Sequence, residues 1–154
     1  MSATADPPLI ITRVFAAPRA LVFRAWTDPR HAVRWWGPEH HPAVRLEMDA
    51  RPGGAWRGCL RSSDTGEEIW QHGMFREVTE PERLCFTFIW DNRGDRGVET
   101  VVTLTFEEQD GRTRMTMRHD GLRSEDDRDG HQEGWNSSFD RLAAYTEESR
   151  MPSG

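Results

Sequence analysis

His119 follows Met115 and Met117 at two-residue spacing. A strand that turns the methionines inward therefore turns His119 inward too, at the strand's end and near the mouth of any cavity. An imidazole there can donate or accept a hydrogen bond, or act as acid or base near neutral pH. The plainer reading is a satisfied histidine that closes the hairpin. Arg13 shares parity with Ile11 and Phe15, so it either points inward, toward a buried acid or a ligand anion, or sits at a sheet edge. His131 and Glu133 lie near the start of a long helix and could position a polar ligand head. A solvated first turn complementing the helix dipole accounts for them more simply. His31, His40, His41 and His72 show no His-x-x-x-His or Cys-x-x-Cys spacing, so no metal site is expected. The facing of His72 stays open, because Gly73 can act as a bulge or a close-approach point and shift the register. Cys59 and Cys85 lie within expected strands, and no Gly-x-Ser-x-Gly elbow exists, so nucleophilic catalysis is not expected. All 20 cationic residues are arginine. The absence of lysine excludes Schiff-base and pyridoxal-lysine chemistry and a P-loop lysine, and no cofactor is expected.

Seven tryptophans among 154 residues point to a second kind of chemistry, apolar recognition. Trp56 on one strand, and Phe86, Phe88 and Trp90 alternating on another, join Met117 on the strand face; Trp135 and Phe139 oppose them from a helix. Most of this set is core. So many indoles nevertheless suit a concave apolar pocket with few polar groups, in which Trp56, Trp90 and Trp135 would face one another. Trp35-Trp36 reads instead as the end of a short helical region. Gly134, beside Trp135, reads as a packing glycine that lets the helix approach the sheet. The expected ligand is thus a hydrophobic or aromatic small molecule, with Arg13 and His119 as its polar contacts. The alternatives are an enzyme using His119 as acid or base in a cyclisation, dehydration or hydrolysis, and a protein-interaction module, either co-chaperone-like or a homodimer.

A formal net charge of −6 argues against nucleic-acid binding, which needs a clustered positive field. The opening residues lack the basic and apolar regions of a signal peptide, and no apolar run approaches the roughly 20 residues a membrane span needs. A soluble cytoplasmic chain is expected, with one domain over residues 9–149 between tails at 1–8 and 150–154.

The elements that must position these residues follow from hydrophobic period and turn chemistry. Leu9 to Phe15 reads as a strand; Pro18 and Asp28-Pro29 start two short helices, the second running toward Trp35-Trp36, where Gly37-Pro38 stops it. Six strands follow, with turns at Arg51-Pro52-Gly53-Gly54, Asp64-Thr65-Gly66 and Glu80-Pro81-Glu82, a charged loop from Asn92 to Gly97, and a hairpin at Asp110-Gly111. Ser124 with Asp127 resembles a capping box, and the stripe His131, Trp135, Ser138, Phe139, Leu142 and Tyr145 describes a long terminal helix. Strand succeeding strand makes an antiparallel sheet, and the helix has its concave face to bury against. The expected class is α+β.

Five segments carry a family resemblance: Ile11-Thr12-Arg13-Val14-Phe15-Ala16-Ala17-Pro18, Trp26-Thr27-Asp28-Pro29, Trp35-Trp36-Gly37-Pro38, Met48-Asp49-Ala50-Arg51-Pro52-Gly53-Gly54 and Gly134-Trp135-Asn136-Ser137-Ser138. Together they resemble the family homologous to the C-terminal domain of the heat-shock protein 90 ATPase activator (AHSA-type), in the START/SRPBCC superfamily. The resemblance runs from about Leu9 to Glu148. It implies the helix-grip fold first known from birch pollen allergen, and a cavity between helix and sheet. Superfamily members bind lipids, polyketides and quinones, and some catalyse cyclisation or dehydration, so the fold does not by itself select an activity. A chaperone partner is not expected, because the eukaryotic co-chaperone works with a further N-terminal domain for which these residues leave no room.

Overall fold

The computed structural model describes residues 7–91 and 98–150, and the Asn92–Gly97 loop and the outermost tail residues lie outside them. The elements are β1 (Leu9–Phe15), α1 (Arg19–Thr27), α2 (Pro29–Ala32), β2 (Ala43–Met48), β3 (Ala55–Arg61), β4 (Glu68–Thr79), β5 (Arg83–Trp90), β6 (Thr100–Gln109), β7 (Arg112–Asp120) and α3 (Glu125–Arg150). The seven strands form one antiparallel sheet in the order β1-β7-β6-β5-β4-β3-β2. β1 and β2, neighbours along the chain, therefore sit at opposite edges, and α1–α2 carries the chain between them. This is the helix-grip arrangement, a curved sheet closed on its long C-terminal helix.

Local chemistry explains the junctions. The Asp28 side chain caps α2 by accepting from the Arg30 amide at 2.9 Å, with Pro29 in the first turn. α2 ends at Ala32, short of Trp35-Trp36, and the chain turns until Gly37 takes a φ of +89°. Asp110 and Gly111 both adopt positive φ, 52° and 79°, as a two-residue hairpin whose twist matches its strands requires. Ser124 Oγ accepts from the Asp127 amide at 3.0 Å and opens α3, so the serine half of the capping box is present.

Gly73 shifts no register; it pairs with Trp56 in an unbroken β3–β4 ladder. It is a close-approach point. A Cβ there would collide with the Thr87 carbonyl oxygen and stand 2.5 Å from Trp56 Nε1, which donates across it to that same oxygen at 2.8 Å. The β4–β5 irregularity falls later, between Phe75 and Glu77. Ile69, Gln71, Gly73 and Phe75 consequently face inward while His72 faces out, paired with Asp91.

Trp26 is the hub of the core. Its ring meets Trp35 at 4.7 Å, Trp36 at 5.8 Å, Trp135 at 6.1 Å and Phe139 at 6.0 Å between centroids. α1, the turn after α2, and α3 thus share one aromatic cluster over the sheet, and burying rings of this size dominates the packing.

Candidate functional site

A cavity of about 250 Å³ opens between the first half of α3 and strands β3–β5, with the Trp36–His41 segment on its third side. Trp36, Phe88, Trp90 and Trp135 form its aromatic walls, and Leu60 and Ile69 extend them along the sheet. Polar lining groups are few: Gln71 and Ser138 within, His41, Asp126, Asp127 and His131 elsewhere on the lining. No arginine belongs to the lining among the described residues, although the chain has 20.

Gln71 is 3% exposed, and its carboxamide orientation is decided by chemistry. Trp36 Nε1 is a donor only, so the atom facing it at 3.0 Å must be the Gln71 oxygen. The amide NH2 then stands on the cavity wall, with no hydrogen bond to another group among the described residues. It is a buried donor on the cavity wall that the fold leaves for something else to satisfy; Trp26 Nε1, deep in the aromatic core, is another donor without a partner among the described residues.

Two histidines hold the tryptophan walls in place. Thr100 Oγ1 donates to the Phe88 carbonyl at 2.7 Å, so the His119 Nε2–H donates to Thr100 Oγ1 at 2.8 Å. His119 Nδ1 is left as an acceptor, and Trp135 Nε1 donates to it at 3.1 Å. Burial pushes the His119 pKa down to about 3, helped by the proximity of His131. Both nitrogens are committed and the ring is held neutral. His131 repeats the pattern: Nδ1 donates to the Asp127 carbonyl at 2.8 Å, and Nε2 accepts from Trp90 Nε1 at 3.1 Å.

The third side of the cavity is pinned from α3. Arg141 donates to the carbonyls of Gly37 at 2.8 Å, Trp36 at 3.2 Å and Arg34 at 3.1 Å, and the Glu39 amide donates to Ser137 Oγ at 2.9 Å. These carbonyls have no helix to satisfy them, because α2 has already ended. Charge-assisted bonds of this kind contribute about 1–2 kcal/mol when partly exposed. Arg141→Leu is expected to lower unfolding stability by about that amount in urea with an unchanged slope. An unaltered midpoint would show that the turn holds itself.

The residues singled out in the sequence separate into two groups. Phe88, Trp90 and Trp135 lie on the cavity wall. Trp56, Phe86, Met117 and Phe139 are buried beneath it, because their neighbours close over them: Trp36 covers Trp56 at 5.4 Å, and Trp26 and Trp135 cover Phe139. His119 is likewise absent from the lining; it is fully buried behind Trp135 rather than at the mouth, and neither nitrogen is open to a substrate. Arg13 reaches Asp140 of α3 at 2.8 Å, outside the cavity, where the carboxylate is 73% exposed. It ties an edge strand to the helix and meets no buried acid.

Trp36, assigned from sequence to the end of the short helices, is a wall residue. Gln71 was missed, although its parity with Ile69 on β4 was a readable signal. Gly134 does not serve close packing, since a Cβ there would meet nothing within 4 Å, and the same holds for Gly130 one turn earlier.

Solved structures with the same architecture include the AHSA1 protein from Silicibacter pomeroyi, at 27% identity and a TM-score of 0.83 over 93% of this chain and 99% of that one. A Mycobacterium smegmatis protein reaches 28% and 0.80 over 97% and 99%, and one from Chromobacterium violaceum 25% and 0.81 over 92% and 97%. No curated protein matches the sequence. Residues 16–147, from the end of β1 through most of α3, match the family described as Activator of Hsp90 ATPase homolog 1-like protein, and the chain belongs to that family.

Proposed function

We propose that the protein binds an uncharged hydrophobic or aromatic small molecule in the cavity between α3 and the sheet. The observation that carries this reading is the unsatisfied Gln71 NH2 on the wall of an otherwise aromatic cavity. Four aromatic side chains supply apolar contact, and one fixed donor selects a hydroxyl, carbonyl or ring-nitrogen acceptor. The described lining offers no arginine to pair with an anion. Proton transfer by His119 is not part of the proposal, because an acid or base needs a nitrogen within reach of substrate. An interaction surface is less well supported. The exposed large apolar residues Ile10, Val14, Val44 and Met74 are spread over β1, β2 and β4, with β1 and β2 at opposite edges.

Calorimetric titration with 2-naphthol and 2-naphthoate, which share a ring system and differ in charge, tests the reading. The neutral naphthol is expected to bind at least tenfold more tightly. Equal or tighter binding of the carboxylate would overturn the uncharged class, and silence from both would overturn the cavity as a binding site for rings of this size.

A further inference from the structure

Gly130 and Gly134 stand four residues apart on one face of α3, and both line the cavity. Interior helical glycine is unfavourable relative to alanine, so two of them on one face call for a reason. Backbone conformation is not the reason, since neither has a positive φ. Packing is not the reason either, since a Cβ at each position would meet nothing within 4 Å. What remains is the space itself: Gly134 is half-buried, Gly130 one turn nearer the opening is exposed, and Trp36, Phe88 and Trp90 bound the space on the other side.

We infer that Gly130 and Gly134 are the specificity-determining residues of the site: they bare the α3 backbone so that a flat molecule of at least two fused rings lies against it. The inference rests on the cavity being a binding site. Its independent support is Gln71, 97% buried by the 3% exposure that remains, whose unpartnered NH2 is on the same cavity wall. A planar molecule whose rings pack along the glycine face presents its edge oxygen or nitrogen to that donor. Side chains at 130 and 134 would occupy the volume of the second ring and leave that of the first.

The test pairs a two-ring and a one-ring probe. Binding of 2-naphthol and phenol is followed through the indole N–H resonances of Trp36, Trp90 and Trp135 in the wild type and in Gly134→Leu. The variant is expected to lose at least tenfold in affinity for 2-naphthol while its phenol affinity changes less than threefold. Wild-type binding of 2-naphthol retained in Gly134→Leu would overturn the glycine assignment and leave the cavity reading standing. A wild type silent to both probes would overturn the cavity reading itself. The double variant Gly130→Ala/Gly134→Ala supplies the folding control, and its Tm is expected to rise by about 2–6 °C. A lower Tm would overturn the inference, because it would show that the glycines meet a packing need.

Discussion

His119→Ala is expected to destabilise the protein by about 3–5 kcal/mol. Two physical terms add. Trp135 Nε1 loses its acceptor while buried, which costs about 1–3 kcal/mol. The imidazole leaves a void among Phe88, His131 and Trp135, whose rings stand 5.6, 5.1 and 6.1 Å from it, and truncating a buried side chain of this size typically costs about 2 kcal/mol or more. Thr100 suffers less, since its hydroxyl keeps the Phe88 carbonyl as acceptor. At about 2–4 °C per kcal/mol, Tm should fall by about 10 °C. A histidine kept for proton transfer at a cavity mouth would behave otherwise, because its removal would leave stability nearly untouched. Thermal unfolding decides between them, and a variant within about 1 kcal/mol of wild type would refute the buried relay from Thr100 to Trp135.

Acid should weaken the fold through the same residue. In the folded chain burial holds the His119 pKa down at about 3, against an ordinary 6.5. Between those values the unfolded chain binds a proton that the folded chain refuses, so stability falls as pH falls. At about 1.4 kcal/mol per pH unit, the loss from about pH 7 to about pH 4 comes to about 3 kcal/mol. His119→Phe keeps a ring in the site and removes the titration. Urea unfolding across this range should show wild type losing about 3 kcal/mol more than the variant. Parallel losses would show that His119 is not the group refusing the proton. Asp28, whose pKa the hydrogen bond from Arg30 brings down from 3.8 to about 2, does not confound the comparison, because any stability it loses near pH 4 is common to wild type and variant.

His119 and Gln71 also show how far a strand pattern reaches. Parity on β7 placed His119 on the inner face, and it is there, at 0% exposure. Parity carries no information on depth, and Trp135 from α3 closes over the ring. At β4 the uncertainty lay in Gly73, and the ladder runs straight through it because the missing side chain makes room for the Trp56–Thr87 hydrogen bond. Gln71 then faces inward; its parity with Ile69, on the same side of Gly73, was legible in advance, and its parity with Phe75 was not. Its free NH2 was not, because that depends on which end of the amide meets an indole 35 residues away.

Element order, the antiparallel sheet, the hairpin at Asp110-Gly111 and the Ser124 cap were determined by the sequence alone. Each depends on local period, turn conformation or a cap within a few residues, and such preferences act wherever the segment lies. The helix-grip class followed from that order together with the family resemblance. Only the tertiary structure decided which aromatic residues wall the cavity and which are core. That choice arises where β3–β5, the Trp36–His41 turn and α3 converge, held by contacts such as Arg141 to Gly37 across 104 residues of chain. The same convergence commits both His119 nitrogens and leaves Gly130 and Gly134 facing empty space. A residue's chemistry there is set by neighbours that only folding brings within bonding distance.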